Sequence, residues 1–448
     1  MARYLGLCLL GLAVVLAAVA PASAQGFGVY EQGACMMGRG GAGVADPCQD
    51  GSGVFFNPAS LSFSKGLLTV GGALIGPTGT FTDTSGGALN GTVSTLNKKW
   101  YPVPNIYASV PFKKHFAFGI GVFAPYGLTT DWPTTSEGRY LGYKSLVQGI
   151  YFQPTLAIKF NDRVSVGVGV DITYLNVELR QRVDLSVQSV TGTPYTFGQI
   201  GVPAGTDFAD VQLSGNSWNP GFHIGVQAKV TDKVSFGARF LSGQMVNVKH
   251  GAIRTTQILT GLHLPPSLGG GAIDTAVAPQ FSSGQKLSNQ DATTSIPLPA
   301  QFVAGLAFQV TPAVKLFTDA QFTNWEAFGV LPINGQYLKT SLVESYGNVA
   351  GLRVGTEITP WKKAAVRAGI NVHGAAAPNQ TVTPNLPEGS RYEFNAGFGY
   401  EMTKHLRLDA AYMYLDQPDR AGRTSSGANN GVYSFKANLF SASVTMLF

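Results

Sequence analysis

Side chains that could do chemistry are few in this sequence and are widely spaced. The six histidines lack the spacing of metal ligands, and no G-x-S-x-G turn or phosphate-binding glycine loop stands at a strand–helix junction. We therefore expect no enzyme activity, no metal site and no cofactor. The alternative left open is a barrel enzyme whose catalytic residues lie on strands or loops without a local motif.

Residues 1–24 are typical of a secretory signal peptide. Arg3 supplies a positive charge, an apolar run follows, and small residues precede a cleavage site after Ala24. No later segment reaches the ~18 consecutive apolar residues of a membrane-spanning helix. We expect an exported chain that begins at Gln25. The net charge of +6 comes with no cluster of lysines or arginines, so it predicts no nucleic-acid partner.

Two cysteines, Cys35 and Cys48, remain after that cleavage. Because an exported protein meets an oxidising compartment, the pair is expected to form a disulfide. The bridge would close a short loop and stabilise the fold by about 3 kcal/mol in the chain-entropy picture. The alternative is two free buried thiols, since the sequence does not show that the two Cβ atoms can reach each other.

β-strands are the elements that must hold these residues. Val164 to Tyr174 reads VSVGVGVDITY, with the apolar side chains on one face and the small or polar ones on the other. This alternation recurs and predicts fourteen strands, an even number, as in single-chain bacterial barrels. The predicted strands are Gly66–Ile75, Val103–Phe112, His115–Ala124, Val147–Phe160, Arg163–Arg180, Trp218–Val230, Lys233–Val248, Pro299–Val310, Ala313–Asn324, Tyr346–Ile358, Lys363–His373, Ser390–Met402, His405–Asp416 and Val432–Phe448.

Short and long connections alternate between these strands. Tight turns such as Lys113-Lys114 are followed by long loops such as Gln181–Ser217 and Lys249–Leu298. Outer-membrane barrels have this order, with short periplasmic turns and long external loops. The sequence therefore predicts an all-β fold, a 14-stranded antiparallel transmembrane β-barrel over residues 62–448, in the bacterial outer membrane.

The segment 25–61, ahead of the first strand, does not alternate. It is rich in glycine and alanine and carries few charges, yet its apolar residues argue against disorder. We expect it to pack inside the barrel as an N-terminal hatch that plugs the lumen.

Several short motifs carry a resemblance to a known family. They include Gly38-Arg39, Asn57-Pro58-Ala59, Val103-Pro104-Asn105, Ala124-Pro125-Tyr126-Gly127 and Arg367-Ala368-Gly369. In these motifs the chain resembles the FadL-type outer-membrane transporters of long-chain fatty acids, which include the toluene and xylene porins. The resemblance covers nearly the whole mature chain. The cysteine pair departs from the best-known members and suggests a stapled, less mobile hatch.

The resemblance implies a hatch and an inward kink of the third strand that opens the wall. It implies that Asn57, Pro58 and Ala59 form a hatch motif near the kink, and that the lateral gate consists of Ala124, Pro125, Tyr126 and Gly127. It also implies that Phe27 is a ligand-binding aromatic. From the residues alone, Pro125 cannot donate to a sheet ladder and Gly127 tolerates a bend. The alternatives are that Pro125 ends the strand, Asn57-Pro58 forms a simple bend and Phe27 packs in the hatch.

The implied function is passive transport of hydrophobic molecules, above all long-chain fatty acids, captured at external loops and released sideways. Expected partners are the hydrophobic ligand, outer-membrane lipid and lipopolysaccharide, and the barrel-assembly machinery, and the expected state is a monomer. A carboxylate-bearing ligand would need an inward cation, and the candidates are Arg239, Arg353 and Arg367. These arginines can instead pair with the inward carboxylates of Asp319 and Glu357.

Two alternative functions remain open at this point. One is an aromatic-hydrocarbon porin of the same family. The other is an adhesin or recognition barrel whose long loops bind a partner. An apolar patch around Leu259 and Leu264, in the loop Lys249–Leu298, is either such a binding surface or folds back over the barrel mouth.

Overall fold

The computed structural model describes residues 26–29, 32–86, 90–422 and 430–448. The predicted signal peptide and Gln25 lie outside the described residues. Among the described residues, no helix is both long enough and apolar enough to span a membrane.

The described residues form 19 antiparallel β-strands in one continuous sheet. In chain order these are β1 (Leu67–Asp83), β2 (Val93–Thr95), β3 (Tyr101–Phe112), β4 (Phe116–Asp131), β5 (Lys144–Lys159), β6 (Val164–Asp184), β7 (Asp207–Lys229), β8 (Val234–Leu241), β9 (Gln244–Gln257), β10 (Gln290–Leu298), β11 (Gln301–Thr311), β12 (Val314–Thr323), β13 (Val330–Gly335), β14 (Lys339–Val343), β15 (Val349–Trp361), β16 (Ala364–His373), β17 (Arg391–Thr403), β18 (Leu406–Gly422) and β19 (Gly431–Leu447).

Fourteen of these strands close into a ring, so the predicted 14-stranded antiparallel barrel is confirmed. The ring runs β1, β3 to β8, β11, β12 and β15 to β19. It closes where Leu67 of β1 pairs with Leu447 of β19. Neighbouring strands that turn back on each other give this ring its short connections on one side and long ones on the other.

The two faces of the wall separate as the alternation predicts. In β6, Asp171 and Thr173 are completely buried on the inner face, whereas Val168 and Val170 are about half exposed on the outer face, at 47% and 50%. An exposed apolar band on the outside is stable because lipid, not water, contacts it.

The predicted strand ends were wrong on the long-loop side. β7 begins at Asp207, inside the predicted loop Gln181–Ser217, and β9 and β10 occupy much of the predicted loop Lys249–Leu298. The β13–β14 hairpin likewise lies within a predicted loop. Beyond the apolar band neither face of a strand has to contact lipid, so the sequence need not alternate there. The strands stay paired in this region, although the sequence pattern that indicates a strand is lost.

The two longest predicted loops build a small core of their own together with the start of β7. Leu185, Phe197, Phe208, Ile273 and Val277 are buried together there, and Leu262 and Leu264 pack against them. The described residues form three short α-helices, α1 (Ala34–Gly38), α2 (Gly53–Phe56) and α3 (Ile273–Val277). Two of the buried side chains in this small core, Ile273 and Val277, belong to α3. By contrast, Leu259 is 77% exposed, so the apolar patch is only partly folded back.

Residues 32–61, the luminal segment, lie inside the ring and are almost all buried. The segment consists of α1, α2, connecting turns and the start of a 3-10 helix, Pro58–Phe63. Inward glycines make room for it: a Cβ on Gly237 would lie 2.2 Å from the carbonyl oxygen of Val44, and one on Gly167 would lie 2.3 Å from the carbonyl carbon of Pro58. The wall and the segment therefore touch backbone to backbone.

Candidate functional site

A small apolar cavity of about 50 Å³ lies between the barrel wall and the external loops. The described residues that line it are Phe27, Leu128, Ser145, Val147, Val177, Leu179, Leu213, Thr294, Ile296, Phe328, Leu331, Ile333, Leu342, Glu344, Asn385 and Leu386. Glu344 is the one charged side chain among them, so this lining contains no cation.

Phe27 stands at the edge of this cavity inside a group of aromatic rings. Its ring centroid is 4.9 Å from that of Trp325, 5.3 Å from that of Phe328 and 6.1 Å from that of Tyr126, all edge to face. Phe27 is 2% exposed. The structure thus places Phe27 both in the cavity lining and in a packed aromatic cluster, and its role in ligand binding stays a prediction.

Backbone pairing with β4 holds Phe27 in this place. The amide N–H of Val29 donates to the carbonyl oxygen of Pro125 at 2.8 Å, and the amide N–H of Gly127 donates to the carbonyl oxygen of Phe27 at 2.9 Å. Gly28 forms a bridge with Tyr126 between these two bonds. Residues 27–29 therefore take the position of a neighbouring strand along the edge of β4.

That edge is available because β3 and β4 separate. Their pairing runs from Phe112 opposite Phe116 to Ile106 opposite Val122, and among the described residues no partner on β4 continues it along Tyr101–Asn105. β1 still pairs with all of Tyr101–Asn105. We call this stretch without β3–β4 pairing the wall opening; at ~3.4 Å per residue it is about 17 Å long, and residues 27–29 pair with its β4 edge.

The sequence of β3 suits an unpaired edge. Pro102 and Pro104 lack N–H groups, and because they stand two residues apart, both missing donors fall on the same edge of the strand. We assign them to the β4 edge, since β1 pairs with the whole of this stretch. Beyond the opening the wall is joined again where Asn97 donates its amide to the carbonyl oxygen of Asp131 at 2.8 Å.

A β-bulge in β4 lies beside the opening. Phe123 faces Tyr151 of β5, but the next paired residue, Tyr126, faces Gly149, so β4 carries one extra residue at Ala124-Pro125. The bulge changes which residues face inward, from Phe123 on one side to Tyr126 on the other. A bulge bends a strand at such an insertion.

The structure brings the four predicted gate residues together at this bulge. Ala124 and Pro125 form it, Gly127 follows it, and Tyr126 turns inward with 1% exposure. The hydroxyl of Tyr126 donates to the carbonyl oxygen of Pro299 at 2.7 Å and accepts from the side chain of Gln301 at 2.8 Å. Tyr126 is thereby tied to the opposite wall.

Gln32 is a residue of the opening that the sequence analysis missed. Its Nε2 donates to the carbonyl oxygen of Ala124 at 2.7 Å, and its own carbonyl oxygen accepts from the hydroxyl of Tyr107 at 3.3 Å. Gln32 therefore contacts β4 and β3 at once. No sequence pattern marks it, because its role depends on two strands that separate only in the folded barrel.

The predicted hatch motif is hydrogen-bonded to strands β6 and β7. The side chain of Asn57 donates to the carbonyl oxygens of Val44 at 2.6 Å and Val226 of β7 at 2.9 Å, and Ser165 of β6 donates to the carbonyl oxygen of Ala59 at 3.0 Å. Asn57, Pro58 and Ala59 thus lie against β6 and β7, not directly against the bulge.

An aromatic side chain next to this motif also contacts β4. Phe55 packs on Phe123, the last residue of β4 before the bulge, with ring centroids 5.2 Å apart. α2 therefore contacts β4 directly before the bulge, in addition to the bond from Gln32 to Ala124.

Covalent and ionic bonds hold the luminal segment in the barrel. Cys35 and Cys48 are joined by a disulfide. Arg39 pairs with Glu357 at 2.8 Å, Glu357 with Arg367 at 2.6 Å, and Arg367 with Asp409 at 2.8 Å. This chain of ion pairs joins the segment to three strands of the wall.

The other inward charges predicted from the sequence also bind the luminal segment. Asp319 accepts from the amides of Gly43 at 2.8 Å and Val44 at 3.0 Å. Arg239 donates to the carbonyl oxygen of Phe55 at 3.1 Å, and Arg353 donates to that of Gly41 at 3.4 Å. The candidate cations therefore anchor the segment, and none of them is among the lining residues of the apolar cavity.

One histidine joins a hydrogen-bonded chain that the sequence did not reveal. His223 Nδ1 is 2.6 Å from Asp171 Oδ1, and its Nε2 is 2.9 Å from Thr155 Oγ1. The order resembles a nucleophile, a base and an acid, but His223 and Asp171 are fully buried and Thr155 is 1% exposed. The chain links β5, β6 and β7 and offers no accessible nucleophile.

Comparison with known proteins now identifies the family. The model of the family described as outer membrane protein transport protein (OMPP1/FadL/TodX) matches residues 14–448. The chain belongs to this family. It is an outer-membrane protein of a family that transports hydrophobic compounds. The family is one of transport proteins and not of enzymes.

Curated relatives match almost the full length of this OMPP1/FadL/TodX member. The 47 kDa outer membrane protein of Pasteurella multocida is 25% identical over 444 residues, covering 98% of this chain and 97% of its own. The long-chain fatty acid transport protein of Salmonella typhi is 22% identical over 432 residues, covering 95% and 94%.

Solved structures show the same fold. A FadL homologue of Pseudomonas aeruginosa superposes with a TM-score of 0.80 at 22% identity, covering 95% of this chain and 100% of its own. The toluene transporter TodX of Pseudomonas putida superposes with a TM-score of 0.69 at 16% identity, covering 94% and 99%.

Proposed function

We propose that this protein carries hydrophobic molecules from the cell exterior into the outer leaflet by way of the apolar cavity and the wall opening. The observation that carries the proposal is the separation of β3 from β4 directly beside the cavity residue Phe27. A ligand that leaves through the wall exchanges one apolar environment for another. Burial of its apolar surface, at roughly 25 cal/mol per Å², supplies the binding free energy.

In this proposal the luminal segment acts as a hatch. Its disulfide and its ion pairs with the wall support a plug that stays in place, so water-soluble molecules are kept out while lipid-soluble ones leave sideways. No cofactor and no energy source enters the scheme, and direction comes from consumption of the ligand inside the cell. A route that links cavity and wall favours a transporter over a recognition barrel.

Long-chain fatty acids are the first candidate ligand. The fatty acid transport proteins among the curated relatives support this choice, and the apolar side chains that line the cavity come from strands β4, β5, β6, β7 and β10 among others. A fatty acid would place its chain among the leucines, isoleucines and valines of the lining.

An aromatic hydrocarbon is the second candidate, and one observation favours it. The described lining contains no cation, and its one charged side chain, Glu344, is acidic. A carboxylate is costly to bury without an opposite charge, whereas a neutral hydrocarbon carries no such cost. The likeness to the toluene transporter TodX supports the same choice at the level of the fold.

Uptake of labelled oleate and labelled toluene by a bacterial host that lacks its own outer-membrane fatty-acid importer tests the proposal. Oleate uptake that depends on this protein would establish the first candidate, and toluene uptake alone would establish the second. If neither probe enters while the barrel is folded in the membrane, the transport proposal is wrong and the recognition barrel takes its place.

A further inference from the structure

Asn105 is the first inward-facing residue of β3 beyond its last pair with β4. It is 1% exposed, and neither its Nδ2 nor its Oδ1 has a hydrogen-bond partner among the described residues. Leaving a buried amide unsatisfied costs about 1–3 kcal/mol for each group, and such groups are rare in folded proteins. The position of this amide therefore calls for a physical explanation.

A second amide with an unsatisfied atom stands at the same opening. Gln32 is fully buried and joins β4 to β3 beside the opening through Ala124 and Tyr107, yet its Oε1 has no partner among the described residues. The opening therefore presents one unsatisfied donor group and two unsatisfied acceptors. Few, convergent polar groups in an otherwise apolar path are typical of a ligand site.

Asn395 shows that an unsatisfied amide alone does not define such a site. Both of its amide atoms lack partners among the described residues too. Asn395 lies on β17, however, where Gly369 of β16 and Met413 of β18 pair with it on both sides. What distinguishes Asn105 is its place at the wall opening, where Gln32 also contacts Ala124 of β4.

We propose that Asn105 and Gln32 bind the uncharged polar head of an amphipathic ligand, a protonated carboxylic acid or an alcohol, as it leaves through the wall opening. This inference rests on the proposed function. Nδ2 of Asn105 donates to the carbonyl or hydroxyl oxygen of the head, and an amide oxygen accepts its O–H. A carboxylate has no proton to donate, and burying its charge in this path is costly. A hydrocarbon satisfies neither amide.

The proposal has consequences for how a fatty acid crosses. Its carboxyl group must be protonated before it enters the opening, because the described lining of the cavity offers no cation to a carboxylate. The amide pair then replaces the water lost by the head group. The site therefore selects for a polar head, while the cavity selects for an apolar body.

The test compares Asn105→Ala with the matched variant Asn395→Ala, each in the full-length protein in the outer membrane. Oleate and toluene uptake are measured side by side in the host described above. We expect Asn105→Ala to lower oleate uptake about fivefold, the effect of about one hydrogen bond, and to leave toluene uptake unchanged. Asn105→Ser should restore part of the oleate uptake, and Asn395→Ala should alter neither probe.

Other outcomes would overturn the inference. If Asn105→Ala lowers both uptakes equally, the amide has a structural role, and if it lowers neither, it binds only water. If the unmodified protein imports neither probe, the proposed function fails, and binding of 1-dodecanol to the purified protein decides the inference separately. Binding about fivefold weaker in Asn105→Ala than in Asn395→Ala would sustain it, and equal binding would refute it.

Discussion

Deletion of Pro125 alone should close the wall opening while the barrel stays intact. β4 has one residue more than β5 between Phe123 and Tyr126, so removing Pro125 restores a constant register. Inward residues on both sides of the bulge would then alternate without a break, with Phe123 and Tyr126 both still facing the lumen. The deletion is therefore compatible with every other pair along β4 and β5.

The structure sets the size of the effect. A straightened β4 can donate N–H groups to the carbonyl oxygens of Pro102 and Pro104, which face the opening in the assignment given above. Because the Gly127 N–H already donates to Phe27, closure gains one net backbone hydrogen bond, worth about 1 kcal/mol, which corresponds to about fivefold fewer open molecules. If exit through the wall limits transport, uptake should fall by about the same factor.

Labelled-ligand uptake in the importer-deficient host measures this effect, using whichever probe the unmodified protein carries. Heat-dependent mobility in detergent gels checks that the deleted variant is folded. Pro125→Ala is the matched control, because it returns the N–H but keeps the extra residue and hence the bulge; its uptake should remain within about twofold of the unmodified protein. A folded deletion variant with normal uptake would refute the lateral route.

Three further predictions concern the cavity, the luminal segment and the external loops. Phe27→Ala removes an apolar ring from the cavity lining, whose burial is worth about 1.5–3 kcal/mol, and should weaken ligand binding by at least tenfold in titrations of purified protein; unchanged affinity would remove Phe27 from the site. Replacing Cys35 and Cys48 by serine removes a disulfide that closes a loop of sequence separation 13 and should lower the free energy of unfolding by about 3 kcal/mol. The barrel should still fold but should admit a water-soluble dye. A variant that excludes the dye as well as the unmodified protein does would contradict the stapled hatch. Burial and the Asp83 carboxyl raise the pKa of Glu137, in the loop between β4 and β5, from 4.5 to about 7, so the folded loop binds the proton more tightly than the unfolded loop does. This loop should therefore resist proteolysis best below pH 4.5 and lose that resistance as the pH rises past 7. Glu137→Gln should remove this pH dependence, and a variant that keeps it would exclude Glu137 as its source.

The sequence predicted the barrel well for a physical reason. Every strand that crosses the membrane must present an apolar face to lipid, so the alternation seen in Val164–Tyr174 repeats in each one and can be counted. Strand ends above the lipid were predicted poorly, as in β7, because no such requirement acts there. The composition of residues 25–61 predicted a packed segment, because burial of their apolar side chains is favourable and the segment carries few charges that would oppose it.

The site was predicted only in part. Proline chemistry at Pro125 pointed to a break in pairing, and the structure places a bulge at that position. Over Tyr101–Asn105, β3 has no partner on β4 among the described residues although it stays paired with β1, and residues 27–29 pair with the free edge of β4. Both facts follow from which strands are neighbours in the closed ring.

Sequence by itself determined the fold class, the strand number and the family of this protein, because these depend on patterns that recur along one chain. Tertiary structure decided how the inward arginines are used, where Asn57-Pro58-Ala59 lies, and that Gln32 and Asn105 share one opening. These facts depend on contacts between residues up to 312 positions apart, as for Arg353 and Gly41, and on register across strands. Neither leaves a periodic trace in the order of the amino acids.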